Sequence, residues 1–463
     1  MAPLVLGIDS STQSTKALLV DAETGQVLEE RRATHPDGTE VDPRAWLRAV
    51  DEAAGPLLER ADALAVGGQQ HGMVLLDEAG EVVRPALLWN DTRSADAATT
   101  LIEEMGGPQA SVEEIGSLMV ASFTASKLRW VRDEEPENAQ RAAQVLLPHD
   151  FVSLHLAESG TAPFTDRGDA SGTGYYSTRE EAWKPELVEA ALGKNLELPR
   201  LPSAPNEVMA RTASGAAIAA GTGDNMGAAL GLSLGPGDVS VSIGTSGVCA
   251  MVSDARPGDA SGTVTGFADA TGRFLPMTTT INASRILEAG RALLGVSHEE
   301  MAELALASEP GARGVTLLPY FDGERTPNRP HARATLAGMS SSTTREDVAR
   351  AYVEALLCSL ADGITSLEER TGTDARRITL IGGGARSRAV QQLAPAIFGR
   401  EVTIAPDGEY VALGAARQAA WALAGTDEPP AWEISGSRIV AADATPQVLE
   451  AYRELKEHTA DWS

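Results

Sequence analysis

Short apolar runs alternate along the whole chain with stretches whose apolar positions recur every three or four residues. That alternation predicts α/β layers and argues against a helical bundle or a β-sandwich. Residues 4–8 (LVLGI) and 17–20 read as strands, and the turn from Asp21 to Gly25 leads to a third strand at 27–30. Asp42-Pro43 predicts a helix start, because Asp can accept from the first free amides and Pro fits the first helical position. Trp46, Leu47, Val50, Ala54, Leu57 and Leu58 then fall on one face. Residues 64–66 read as a strand, 73–76 and 82–88 as a hairpin around 77–80, and 92–105 as a helix. The apolar run 216–220 reads as a short strand that passes through Gly221-Thr222-Gly223 into a helix starting at Asp224.

The second half begins the pattern again. Strands are expected at 239–243 and 248–252, on either side of Gly244-Thr245-Ser246-Gly247. A long helix is expected over 344–369, opened by a capping box from Thr344 to Asp347. Strands at 378–381 and 402–404 alternate with helices at 388–398 and 411–424, and a last helix is expected over 446–458. The stretch Gly231-Leu232-Ser233-Leu234-Gly235-Pro236-Gly237 suits neither a helix nor a central strand. It predicts a division into domains 1–235 and 236–463. A strand, a hydroxyl-rich turn and a second strand open each half, which predicts two related domains.

Composition narrows the functional classes. The 463 residues suffice for two or three domains, and 43% hydrophobic with 22% charged residues is globular usage. Asp plus Glu outnumber Lys plus Arg by 65 to 38, a formal charge of −27, which would repel a nucleic-acid polymer over most of the surface. An anionic small ligand must therefore be held by backbone amides, a cation or local basic side chains. No apolar run approaches the ~18 residues of a membrane span, and the start Met1-Ala2-Pro3-Leu4 lacks a basic region and cleavage site. Cys249 and Cys358 have neither metal-ligand nor disulfide-framework spacing. The expectation is a cytoplasmic protein with no nucleic-acid or membrane partner.

Three turns are suited to phosphate. Asp9-Ser10-Ser11-Thr12-Gln13-Ser14-Thr15-Lys16 lies between two strands, where small hydroxyl residues aim several N–H and O–H groups at one point. Asp9 is placed to hold the Mg²⁺ that accompanies a nucleotide, and Lys16 adds positive charge. Thr245-Ser246 repeats that setting in the second half. Gly382-Gly383-Gly384 runs from a strand toward a helix and permits close backbone approach by an anion or a planar base. Each also serves as an ordinary turn, and neither the Gly-x-x-x-x-Gly-Lys-Ser/Thr loop nor the dinucleotide fingerprint occurs. Phosphoryl transfer to an alcohol also needs a base. Asp224 is the candidate, with a helix-capping role as the plain alternative. Gln70-His71 and Trp89-Asn90-Asp91 put polar groups and an aromatic face near strand ends, as a sugar requires.

At these residues the sequence resembles the FGGY carbohydrate kinases, and within them the branch acting on xylulose. The resemblance covers roughly residues 4–424. It is carried by Ser122-Phe123-Thr124-Ala125-Ser126-Lys127-Leu128-Arg129-Trp130-Val131, by Leu336-Ala337-Gly338-Met339 with Asp347-Val348 and Glu354, and by Gln70-His71-Gly72. Further matches are Leu88-Trp89-Asn90-Asp91, Gly223-Asp224-Asn225, Leu318-Pro319-Tyr320 with Gly323-Glu324-Arg325-Thr326-Pro327, and Gly382-Gly383-Gly384-Ala385-Arg386-Ser387. It implies a two-domain actin-like, ribonuclease-H-like ATPase fold with an active-site cleft between the domains. It also implies Mg²⁺-dependent transfer of the ATP γ-phosphoryl group to O5 of D-xylulose. By position, Asp224 matches the base, Asn225 a sugar ligand, and Gln70, His71 and Trp89 the sugar segments. Asp9 matches the metal aspartate. Ser11, Thr12, Gln13, Ser14 and Lys16 fall at the first phosphate loop, Thr245 and Ser246 at the second, and Gly383 and Gly384 at the adenosine site. Ser10-Ser11-Thr12-Gln13 departs from the common Gly-Thr-Thr/Ser of the family. Lys127 and Trp130 are expected to be structural. The expected partners are the sugar and ATP, with a homodimer as the candidate assembly. The other readings are a relative acting on L-ribulose, gluconate or glycerol, and an actin-fold ATPase without sugar kinase activity.

Overall fold

The first apolar run forms strand β1 (Leu4–Ser10) of a computed structural model that describes residues 2–462. Met1 and Ser463, the outer limits of the two expected domains, lie outside the described residues. β2 (Ser14–Asp21) pairs antiparallel with β1, and β3 (Val27–Thr34) with β2. Helix α1 (Arg44–Ala53) follows Asp42, whose carboxylate accepts the Arg44 amide at 3.0 Å. β4 (Ala63–Gly68) lies parallel to β1. Helices α2 (Thr124–Glu134) and α3 (Pro148–Leu156) precede β5 (Val208–Arg211), β6 (Ala217–Ala219), β7 (Thr222–Gly223) and helix α4 (Asp224–Gly231). The sheet order is β5-β6-β4-β1-β2-β3, with β7 also paired to β4.

Strand alternation decides which helix covers which face. Leu6 and Ile8 join Trp46, Val50 and Leu57 in one apolar cluster, while Val5 joins Ala412, Ala415, Ala416 and Ala419 in another. Fully burying each large side chain stabilises by ~1.5–3 kcal/mol. The second cluster brings the helix Tyr410–Ala424 back from far along the chain. A Cβ on Gly414 would overlap the Gly227 carbonyl, so α4 and that helix pack backbone to backbone.

In the second half β8 (Asp238–Ile243) pairs antiparallel with β9 (Gly247–Met251), which pairs with β10 (Phe274–Thr280). β11 (Arg377–Ile381) is parallel to β8, followed outward by β12 (Val402–Ile404) and β13 (Arg438–Val440). The connectivity repeats that of the first half, where a hairpin's leading strand pairs in parallel with a later strand. The helices here are α5 (Ser284–Leu294), α6 (His298–Ala307), α7 (Arg345–Thr371), α8 (Arg388–Phe398) and α9 (Pro446–His458). Thr344 and Asp347 form the expected capping box. α9 packs on its own chain, where Arg453 Nε lies 2.7 Å from Asp362 and Lys456 pairs with the same carboxylate.

Spatially the chain divides into two units. The first holds the residues up to Leu234 together with Asp254–Leu275 and Gly408–Glu433, and the second holds the rest. Two local expectations differ from the structure. Residues 82–88 do not form one strand: Val82 bridges Leu76 as the hairpin requires, but the run breaks at Arg84-Pro85 and Ala86–Leu87 pairs separately with Glu40–Val41, because Pro85 has no donor and Arg84 turns inward to Glu40 and Glu135. The helix expected over 92–105 is Ala95–Glu104, since Asp91 is occupied by Thr39 and Arg93. No helix among the described residues is long and apolar enough to cross a membrane.

Candidate functional site

Three parallel strands end together in the first unit. Asp9 is in register with Gly67, and Gly67 with Thr222; Ser10, Gly68 and Gly223 follow one step on. The segments that leave this carboxyl edge are the hydroxyl turn after Asp9, then Gln69-Gln70-His71, then Asp224-Asn225. Ligands of α/β sheets bind at such edges. The local sequence explains the arrangement, because each apolar strand stops at small residues that let the chain turn without steric conflict.

Asp224 is the first residue of α4, half-buried, with Oδ1 accepting the Asn225 amide and Asn225 Nδ2, both at 2.8 Å. Gly223 occupies the capping position, so the capping role falls away. Asn225 Nδ2 also donates to Gln70 Oε1 at 2.9 Å. Gln70 Nε2 and both polar atoms of Gln69 are buried without a partner among the described residues. Burial, followed by the charge of Asp9, pushes Asp224 up to about 7, the range of a general base working near neutral pH.

Asp9 is buried and accepts from the Ser11 hydroxyl and from Lys16 Nζ at 3.4 Å. Burial raises its carboxyl despite those partners. Lys16 Nζ also meets Glu409 at 2.6 Å, so this lysine is shared between two carboxylates. The Trp89 indole donates to Thr12 Oγ1 at 2.9 Å, while 44% of the residue stays exposed. Ser14 is buried in β2, and Gln13 is exposed at the tip. His71 has a left-handed backbone (φ 67°), its Nδ1 lies 2.8 Å from the Gly172 carbonyl, and its ring stacks on Phe123 at 5.2 Å.

In the second unit a cavity of about 690 Å³ opens between the β8 turn and the glycine run. Gly244, Thr245, Gly383 and Gly384 line it, with Leu287, Met301, Ala302 and Val353 as an apolar floor. Ser284, Glu288, His298, Arg386 and Ser387 supply polar groups. Ser246 lies in the same turn but does not line the cavity. The glycines differ in purpose. A Cβ on Gly384 would overlap the Ile243 side chain, whereas one on Gly383 would meet nothing within 4 Å. Gly383 thus leaves open backbone against the cavity, the room a flat ligand needs.

Sequence reasoning missed several supports. Gln418, buried on the returning helix, accepts the Gly221 amide at 3.0 Å and donates to its carbonyl at 2.8 Å, which fixes the approach to Asp224. His149 is wedged between Gly68 and Gly221, with Nε2 3.2 Å from Asp150 and from Asp166 and 3.4 Å from Asp169. Burial opposes its charge, yet the surrounding carboxylates hold it up to about 9. The apolar floor on α5, α6 and α7 was hidden as well. These residues read in sequence as ordinary helix positions, and only their neighbours in space distinguish them.

Two family models match the chain: the N-terminal domain of the FGGY family of carbohydrate kinases over residues 4–232 and its C-terminal domain over residues 239–423. The chain is 45% identical to a xylulose kinase of Streptomyces coelicolor, covering 92% of this chain and 89% of that protein. It is 43% identical to a xylulose kinase of Streptomyces rubiginosus, covering 95% and 93%. Among solved structures, the xylulose kinase from Bifidobacterium adolescentis matches with a TM-score of 0.92 and 46% identity, covering 98% of this chain and 99% of that one.

Proposed function

Because the chain belongs to the FGGY family of carbohydrate kinases, and so transfers a phosphoryl group from ATP to a sugar-type alcohol, we propose that its acceptor is D-xylulose and its product D-xylulose 5-phosphate. The observation that carries this reading is the joined set Asp224, Asn225 and Gln70 at one strand edge, in a chain 45% identical to a named xylulose kinase. The unpartnered Gln70 Nε2 is a donor for a sugar hydroxyl, because a buried amide left unpaired costs ~1–3 kcal/mol until a ligand completes it. His71, Asn225 and the exposed ring of Trp89 complete the acceptor site.

Asp224 takes the proton from O5 as that oxygen bonds the γ-phosphorus; the bond from phosphorus to the β-bridging oxygen breaks, and ADP leaves. The cavity at Gly383 and Gly384 takes the adenosine, with its base on Leu287, Met301 and Ala302. Hydroxyls and amides of Ser11, Thr12, Gln13 and Ser14, of Thr245 and Ser246, and the charge of Lys16 take the phosphates. Asp9 would hold Mg²⁺, since a buried carboxylate beside phosphates suits an ion that is bound by one or two carboxylates plus phosphate oxygens. When bound there, the ion supplies charge neutralisation. On this proposal the acceptor site, first phosphate turn and base belong to residues 1–235, and the second turn and adenosine pocket to 236–463.

A coupled ADP-release assay over D-xylulose, L-ribulose, gluconate and glycerol tests it. D-xylulose should give the highest kcat/KM. A larger value for any of the others reassigns the acceptor, and ATP turnover that no alcohol stimulates removes the proposal.

A further inference from the structure

The signature helix α2 plays no part in the mechanism above, yet it buries a lysine directly beneath the acceptor site. Lys127 is fully buried. Its Nζ donates to the His71 carbonyl at 2.6 Å and to the Ser122 carbonyl at 2.7 Å, and Thr124 Oγ1 reaches the same His71 carbonyl at 3.4 Å. Burial holds the amine down to about 7, against the opposing charges of Asp91 and Asp169. The amine donates to the two carbonyls in front of it, one from each of two separate segments.

Those two carbonyls belong to the two halves of one feature. His71 adopts a left-handed backbone, a conformation that non-glycine residues keep only where the surroundings enforce it. Ser122 immediately precedes Phe123, the ring on which the His71 imidazole stacks. One amine therefore ties the backbone of His71 to the segment that supplies the floor under its ring. A space-filling core lysine would need neither bond, and a methionine of similar length would serve that purpose better.

We infer that Lys127 is a positioning residue for the acceptor site, holding His71 so that its ring faces the sugar. The inference rests on the reading of His71 as a sugar contact. Lys127→Met removes the donors and keeps the length. Its KM for D-xylulose should rise about tenfold, the scale of releasing one strained residue, while KM for ATP stays within about twofold. Lys127→Gln, which retains a donor, should recover most of that loss. In a His71→Gly background Lys127→Met should add less than about twofold, because the group through which it acts is gone.

Equal rises in both KM values, an unchanged sugar KM, or full additivity with His71→Gly would overturn the inference. If Lys127→Met does not fold, the same cycle built with Lys127→Leu, which also removes the donors, decides between coupling and additivity. Failure of the parent reading is separable. A His71→Gly enzyme with an unaltered sugar KM removes His71 from the site, whereas an impaired His71→Gly beside an unaffected Lys127→Met removes only the role of Lys127.

Discussion

Replacing Asp224 by Asn should remove catalysis and at the same time stabilise the protein above neutral pH. The carboxyl moves from the ordinary 3.8 to about 7 because burial and the neighbouring Asp9 disfavour its charge. The folded state then binds the proton more tightly than the unfolded state. Stability falls as pH rises from 3.8 through about 7, and stays lowered above that. A gap of that size corresponds to ~4 kcal/mol at ~1.4 kcal/mol per tenfold in proton affinity. Water reaches part of the half-buried side chain and screens it, so about 2 kcal/mol is the working figure. Asn keeps the oxygen that accepts from the Asn225 amide and side chain, so little else changes. Urea denaturation of both proteins between pH 4 and pH 9 measures the difference. The two curves should meet near pH 4 and separate by about 2 kcal/mol at pH 8, with the variant more stable. Its sugar-dependent ADP release should drop by at least ~10³-fold, while wild-type kcat/KM climbs with pH toward about 7 as the base ionises. Parallel stability curves, or a variant with near-normal turnover, would refute the assignment.

Further outcomes follow from the same geometry. Asp9→Asn should raise the Mg²⁺ concentration needed for half-maximal rate by about tenfold and leave the sugar KM nearly unchanged, in a metal titration of initial rates. Chelation of divalent ions should abolish turnover, and added Mg²⁺ should restore it. Gly384→Ala should cost ~1–3 kcal/mol because the new methyl overlaps Ile243, visible as a lowered denaturation midpoint. Gly383→Ala should leave that midpoint alone, since its methyl meets no protein atom, and instead raise the KM for ATP.

Much of this molecule was legible in the order of its residues. The alternation of apolar runs with helical periodicity set the α/β class, because burial of one face demands that spacing in any context. Residues 388–398, 402–404 and 446–458 form the elements expected of them to the residue. The glycine run was recognisable, but its division of labour was not. Gly384 yields to Ile243 and Gly383 leaves space for a ligand, a distinction that exists only once β8 and β11 lie side by side. Asp224 could be singled out by its place after a short strand. Its elevated pKa depends on the dense surroundings and on Asp9, which is 215 positions away in sequence and comes near through the shared register with β4. Gln418 and His149 carry no local signal at all. Sequence periodicity reports which faces are buried, because that is a property of each segment. Which buried groups meet, and so which charges shift and which carbonyls are held, is settled only when distant segments pack together.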